Sequence, residues 1–279
     1  MLLQWATGGL LFLWVTTRRR EVGIGYGWLM RSVYGTFALL ALVLGVALEP
    51  VPLREVASGL VAAASALALG VSVLRRRAGV AGQRAEHDRR SERVAAMTGI
   101  ERGVATRDES AAEFPPALDL VAPVVGALGL VAAALDAADG GGDVLVALVR
   151  ILVGAAFLGA VSDAMLLGHW YLVQPGLARG PLLELVRWTT ALTPVEVAAM
   201  LLPTGMASVW SGAIDDGYNG VLGWTWGVCA ITTIGLCVVT RLALKERQYS
   251  AVMAATGLLY LAILTAFGTD LIARAVLAG

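Results

Sequence analysis

The stretch that decides the fold is Leu145–Leu172, LVALVRILVGAAFLGAVSDAMLLGHWYL. It exceeds the ~20 mostly apolar residues that a helix needs to cross a hydrocarbon core. Its only charged or imidazole side chains are Arg150, Asp163 and His169. A helix that is apolar on every face belongs in lipid or in a core, not on a water-washed surface. Ala156, Gly159 and Ala160 precede Asp163 by seven, four and three residues. They therefore share one stripe of the helix with the carboxyl. Small residues let membrane helices approach closely, so Asp163 is expected to face protein rather than lipid.

Working outward from this span, seven more segments read the same way. With it, the spans fall at roughly 1–17, 29–48, 54–74, 117–135, 145–172, 182–203, 219–240 and 250–273. The composition agrees: 58% of residues are hydrophobic and 15% charged, against about 25% charged in a soluble domain. The expectation is an all-α, polytopic transmembrane bundle of about eight helices, a single domain over 1–279. The first segment has no basic n-region and no small-residue cleavage site, so it reads as a retained span rather than a signal peptide.

The basic residues set the orientation. Of the 21 Lys and Arg, all but Arg54, Arg150 and Arg274 follow the first, third, fifth and seventh spans. Positive charge is held on the cytoplasmic side of short loops. Those connections are thus expected inside, and both termini outside. Arg75–Pro116 is then a cytoplasmic charged loop, within which Gln83–Met97 has the composition of a polar helix. Lys245 is the only Lys, a bias that reads as a GC-rich bacterial genome and places the chain in the inner membrane. A faint echo links Thr17-Arg18…Tyr26 with Thr240-Arg241…Tyr249, as if the first and seventh spans were related.

Ionisable groups inside a bilayer cost several kcal/mol to bury and mark sites when they occur. Asp163 and Glu196 are the two acids that stand out, on the fifth and sixth spans, with Arg150 and Arg187 on the same two helices. A short loop joins these spans, which makes them antiparallel neighbours. At ~1.5 Å rise per residue, Asp163 lies level with Arg187, and Glu196 level with Arg150. The register thus predicts two ion pairs, with Asp163, Glu196 and His169 as candidates for a proton or substrate path. Thr193-Pro194 interrupts the sixth helix just before Glu196, and proline frees a backbone carbonyl. His169 sits near the inner surface in Gly168-His169-Trp170-Tyr171, where a quinone-type head group is a candidate ligand.

Several classes are excluded. There is no P-loop, H-E-x-x-H or G-x-S-x-G motif, and the even charge balance argues for no nucleic-acid partner. The second histidine, His87, lies in the long loop, so a bis-histidine haem between spans is not expected. Cys229 and Cys237 sit about 12 Å apart along one helix, too far for a disulfide. No cofactor or metal is expected. Asp136, Asp139, Gly140 and Asp143 superficially resemble the signature of CDP-alcohol phosphatidyltransferases, but the Ala-Arg step after Asp-Gly is missing. Three functions stay open. The first is a membrane subunit of a larger energy-converting or redox assembly, partnered by lipid and by other subunits or itself. The second is a small secondary transporter using intramembrane carboxylates. The third is an enzyme on a lipidic substrate.

Overall fold

The computed structural model describes residues 1–48, 50–80, 112–138, 142–174, 177–246 and 248–277. Among them there is no strand. Eight long helices appear: α1 Leu2–Thr17, α2 Ile24–Leu48, α3 Pro52–Leu74, α4 Val121–Ala137, α5 Gly142–Val173, α6 Gly180–Leu201, α7 Val221–Ala243 and α8 Tyr249–Leu277. A 3₁₀ turn, Pro116–Leu120, leads into α4, and a five-residue helix, Met206–Trp210, follows α6. Local chemistry starts several of them. Pro52 and Pro181 stand in the first turns of α3 and α6, where a missing N–H costs nothing. Asp216 receives the backbone N–H groups of Tyr218, Gly220, Leu222 and Gly223, so it caps the entry to α7, whose first residue follows Gly220 at φ 82°.

Six of these helices are long and apolar enough to cross a membrane, the α4 span running from Pro116. α1 is shorter at 16 residues, and α6 carries Glu184, Arg187 and Glu196 along its 22 residues. The chain is thus a multi-pass membrane protein by helix length and composition, with six clear spans where the sequence suggested about eight. The large side chains on the outside fit a lipid solvent: Leu67, Leu128, Leu145, Ile231 and Leu264 are all at least 65% exposed.

The helices pack as two four-membered rings. In the first, α2, α3 and α4 close around one side of α1; in the second, α6, α7 and α8 follow one another from α5 and return to it. The rings meet chiefly where α1 crosses α5, with α4 also against α5. At the crossing Gly8 lies on the backbone of Ala155 and Gly159 on that of Gly8, so close that a Cβ on either would overlap the other helix. The small stripe expected on α5 is this contact. It also explains α1: most of it is buried, including Gln4, Thr7, Gly8 and Gly9, so it is a core helix shielded by its neighbours. The two rings are thus joined through α1 and α5.

On the predicted inner side, Arg18 donates to Glu184 Oε1 and Arg19 Nη2 lies 3.1 Å from Oε2, tying α1 to α6. Arg31 grips Asp119 with Nε and Nη2 at 2.7 and 2.8 Å, both side chains being buried. Thr17 donates to the same carboxylate at 3.1 Å. Arg20 meets Glu113 at 3.2 Å, and Phe114 stacks on Arg31. The end of the long charged loop is thus folded against α1 and α2, while Gln83–Met97 lies outside the described residues.

Candidate functional site

The two ion pairs expected from the hairpin register do not form, and the reason is angular. Level along an antiparallel pair says nothing about which face a side chain takes. Arg187 is two residues from both Leu185 and Thr189, which are buried. Two residues turn a helix by about 200°, so Arg187 is exposed on the opposite face. Asp163 is fully buried and bonds instead to α2: the Tyr34 hydroxyl donates to its Oδ1 at 2.5 Å. Tyr26 donates to its main-chain oxygen at 3.4 Å. Its neighbour Ser162 accepts from Trp5 Nε1 at 2.8 Å. The carboxyl therefore faces protein, as expected, but it joins the two rings through neutral donors.

Arg150 and Glu196 do share one neighbourhood, in a larger cluster that the hairpin alone did not reveal. α8 supplies Asp270 and Arg274, four residues apart and so on one face. Arg274 Nε lies 2.8 and 2.9 Å from the two Asp270 oxygens, and its Nη2 donates to the Arg150 carbonyl at 2.9 Å. Gln4 of α1, with its amide oxygen turned to the guanidinium, accepts from Arg274 Nη2 at 2.6 Å. These groups converge on Gly154, where a Cβ would overlap the Gln4, Arg274 and Asp270 side chains. Glu196 stands beside Asp270 and within reach of the charges of Arg274 and Arg150. It is fully buried, and neither of its oxygens has a hydrogen-bond donor. Arg150 is held by Nε to the Ala199 carbonyl at 3.0 Å, which leaves its buried Nη2 without a partner. No direct Arg150–Glu196 ion pair occurs among the described residues.

Above this cluster a cleft of about 600 Å³ opens on the predicted outer side. Its walls are Ala-rich, from α4 and α5, with Met200 and Thr204 at the end of α6. Arg150 and Arg274 are its charged lining. It spans the two rings, since α4 belongs to one and α5, α6 and α8 to the other. The cleft is of the size that holds small molecules. Toward the predicted inner side the seam is filled by Trp5 against Phe267, Phe12 against Trp188, and Tyr26 against Trp170, and then by Arg18 and Arg19 on Glu184.

His169 is elsewhere. It is exposed on α5, with Nδ1 3.0 Å from the Tyr260 hydroxyl of α8. No group of three or more His, Cys, Asp or Glu able to hold a metal occurs among the described residues. Sequence reasoning missed Asp270, Arg274 and Gln4. The i, i+4 acid–base pair inside an apolar run was the available signal for the first two; the buried amide on α1 had none.

Comparison with protein-family models, curated proteins and solved structures finds no match to this chain. The arrangement of its own residues is what bears on its function.

Proposed function

We propose that the chain is a small secondary transporter of the bacterial inner membrane that couples solute movement to a proton carried by Glu196. The observation that carries this reading is a fully buried carboxyl with no donor, set against a second carboxyl, beneath a cleft between two helical rings. Two carboxylates in contact cannot both be ionised cheaply, and a proton relieves the pair. Arg274 and Arg150 pull the other way, which is the balance an exchangeable proton requires. Two helical rings with a cleft between them suit alternating access. The cleft is open on one side, and aromatic side chains and Arg18, Arg19 and Glu184 fill the seam on the other.

In proteoliposomes enclosing a pH-sensitive dye, small solutes are screened for one that drives a proton flux. Glu196→Gln should abolish that flux while leaving the folded yield intact. A flux unchanged in folded Glu196→Gln would remove the residue from the mechanism.

The reading as a subunit of a redox or energy-converting assembly rests on a separate observation, the exposed His169–Tyr260 pair on the lipid-facing surface. A hydroxyl and an imidazole side by side there suit a quinone-type head group. Mild-detergent purification separates the readings: stoichiometric membrane partners and no solute-driven flux favour the subunit.

A further inference from the structure

We propose that the outer cleft binds a small organic anion, its carboxylate on Arg150, and that one proton enters Glu196 for each anion bound. This names the substrate class of the transport reading above and rests on it.

The charge count gives the reason. Four charged side chains meet at the cleft floor: Arg150 on α5, Glu196 on α6, and Asp270 and Arg274 on α8. With all four ionised they sum to zero. Asp270 takes both oxygens to Arg274 Nε, so those two satisfy each other. Glu196 is left against Asp270 with no donor on either oxygen, and Nη2 of Arg150 is buried without a partner. When a proton from bulk water joins the Glu196 carboxylate, the cluster holds one surplus positive charge, and it resides on Arg150. The Arg150 guanidinium lines the floor of the cleft, and its fork of N–H groups suits a carboxylate. The lining agrees, because among the described residues the charged members of the cleft wall are Arg150 and Arg274. A cation in the cleft would meet the arginines first. Methyl-bearing Ala133, Ala134, Ala137 and Ala147, with Val146 and Ile151, suit an apolar body on the anion.

Among the described residues, Asp136 at the outer end of α4 is exposed beside the lining residue Ala137. α7 also packs on α6, but it carries no charged residue in its outer half. In the α6–α7 loop, Asp215 and Asp216 are engaged by their own backbone. The amino group of Met1 also stands near Arg274 and Asp270, largely buried. The Ala199 carbonyl fixes the Arg150 side chain through Nε, so the fork is held before any ligand arrives.

The test is calorimetric, on the full chain in nanodiscs. Benzoate and lactate serve as probe anions, with benzamide and lactamide as neutral isosteres. Titrations in buffers of different ionisation enthalpy count the protons taken up. The wild type should bind one of the anions at least tenfold more tightly than its amide, with about one proton absorbed per anion. Arg150→Gln should lower anion affinity roughly ten- to hundredfold, and Arg150→Lys, which keeps the charge but not the fork, should fall between. Glu196→Gln should still bind the anion but absorb no proton. Equal binding of anion and amide, or no binding of either anion to folded wild type, overturns the anion site. Proton uptake that survives in Glu196→Gln overturns the coupling. A Glu196-dependent proton flux with a neutral solute would leave the transport reading standing while this inference falls.

Discussion

Asp163 shows how a buried carboxyl is accommodated without a counter-charge. Its Oδ1 takes the Tyr34 hydroxyl, and Oδ2 has no partner. Removing the hydroxyl strands the group, at a cost of about 1–3 kcal/mol. Tyr34→Phe should therefore lower the unfolding temperature in detergent clearly. Arg187→Gln should change stability by less than about 0.5 kcal/mol, as exposed substitutions do. The reverse ranking would restore the Asp163–Arg187 pair. Asp216 adds a pH dependence outside the spans. Burial pushes its carboxyl up, but the N–H groups of Gly220, Tyr218, Gly223 and Leu222 outweigh that and hold it below the usual range. A depressed folded-state value adds stability above the unfolded one, lost as pH falls through the folded one. The stability gap between wild type and Asp216→Ala should thus be full at neutral pH and close in strong acid. A gap that widened in acid would contradict the cap.

Among the elements, α1 and α5 make the contact on which the others are arranged. A methyl group on Gly8 has nowhere to go, because the obstacle is the backbone of Ala155 and not a movable side chain. Gly8→Ala should cost at least about 1–3 kcal/mol through overpacking, read as loss of folded yield. Gly70 of α3 is the control: nothing lies within 4 Å of its would-be Cβ. Gly70→Ala should be neutral, or stabilising by up to ~1 kcal/mol. Equal losses at both sites would mean that the crossing is not tight. Half of this contact was legible in the sequence, since Ala156, Gly159 and Ala160 announced a close neighbour for α5. The neighbour itself was not, because the apolar α1 carries no stripe that singles out a partner. The same limit governed the site. Helical rise gives depth from residue numbers alone, which set Arg150 and Glu196 near one level, and each feels the other's charge. Azimuth depends on how helices turn to one another, and there the expectation for Arg187 failed. Asp270 and Arg274 lay on a helix that the hairpin argument never considered.

For the molecule as a whole, the charged groups divide between two ends of the bundle. Arg18, Arg19, Arg31, Glu113, Asp119 and Glu184 meet at one end; Gln4, Arg150, Glu196, Asp270 and Arg274 meet toward the other. From the loop charges we propose that the first end is the cytoplasmic one. Introduced into a chain carrying Cys229→Ser and Cys237→Ser, Ser211→Cys should react with an impermeant maleimide in intact cells. Ser91→Cys should react only after lysis. Labelling of position 91 in intact cells would invert the topology and, with it, the side on which the cleft opens.

The crossing of Gly8 and Gly159 also has a mechanical meaning. Gly159 is near the middle of α5 (Gly142–Val173), with ~25 Å of helix before it and ~21 Å after it. Backbone meets backbone there, with no side chain between to compress or yield. Such a contact is a fulcrum, and a lever on a central fulcrum moves its two ends in opposite senses. A rotation of about 10° would shift each end by roughly 4 Å, narrowing the aperture on one side as it widens the other. The pivot needs no hinge within any helix. Under the transport proposal, such a pivot predicts that the outer cleft narrows as the inner seam parts.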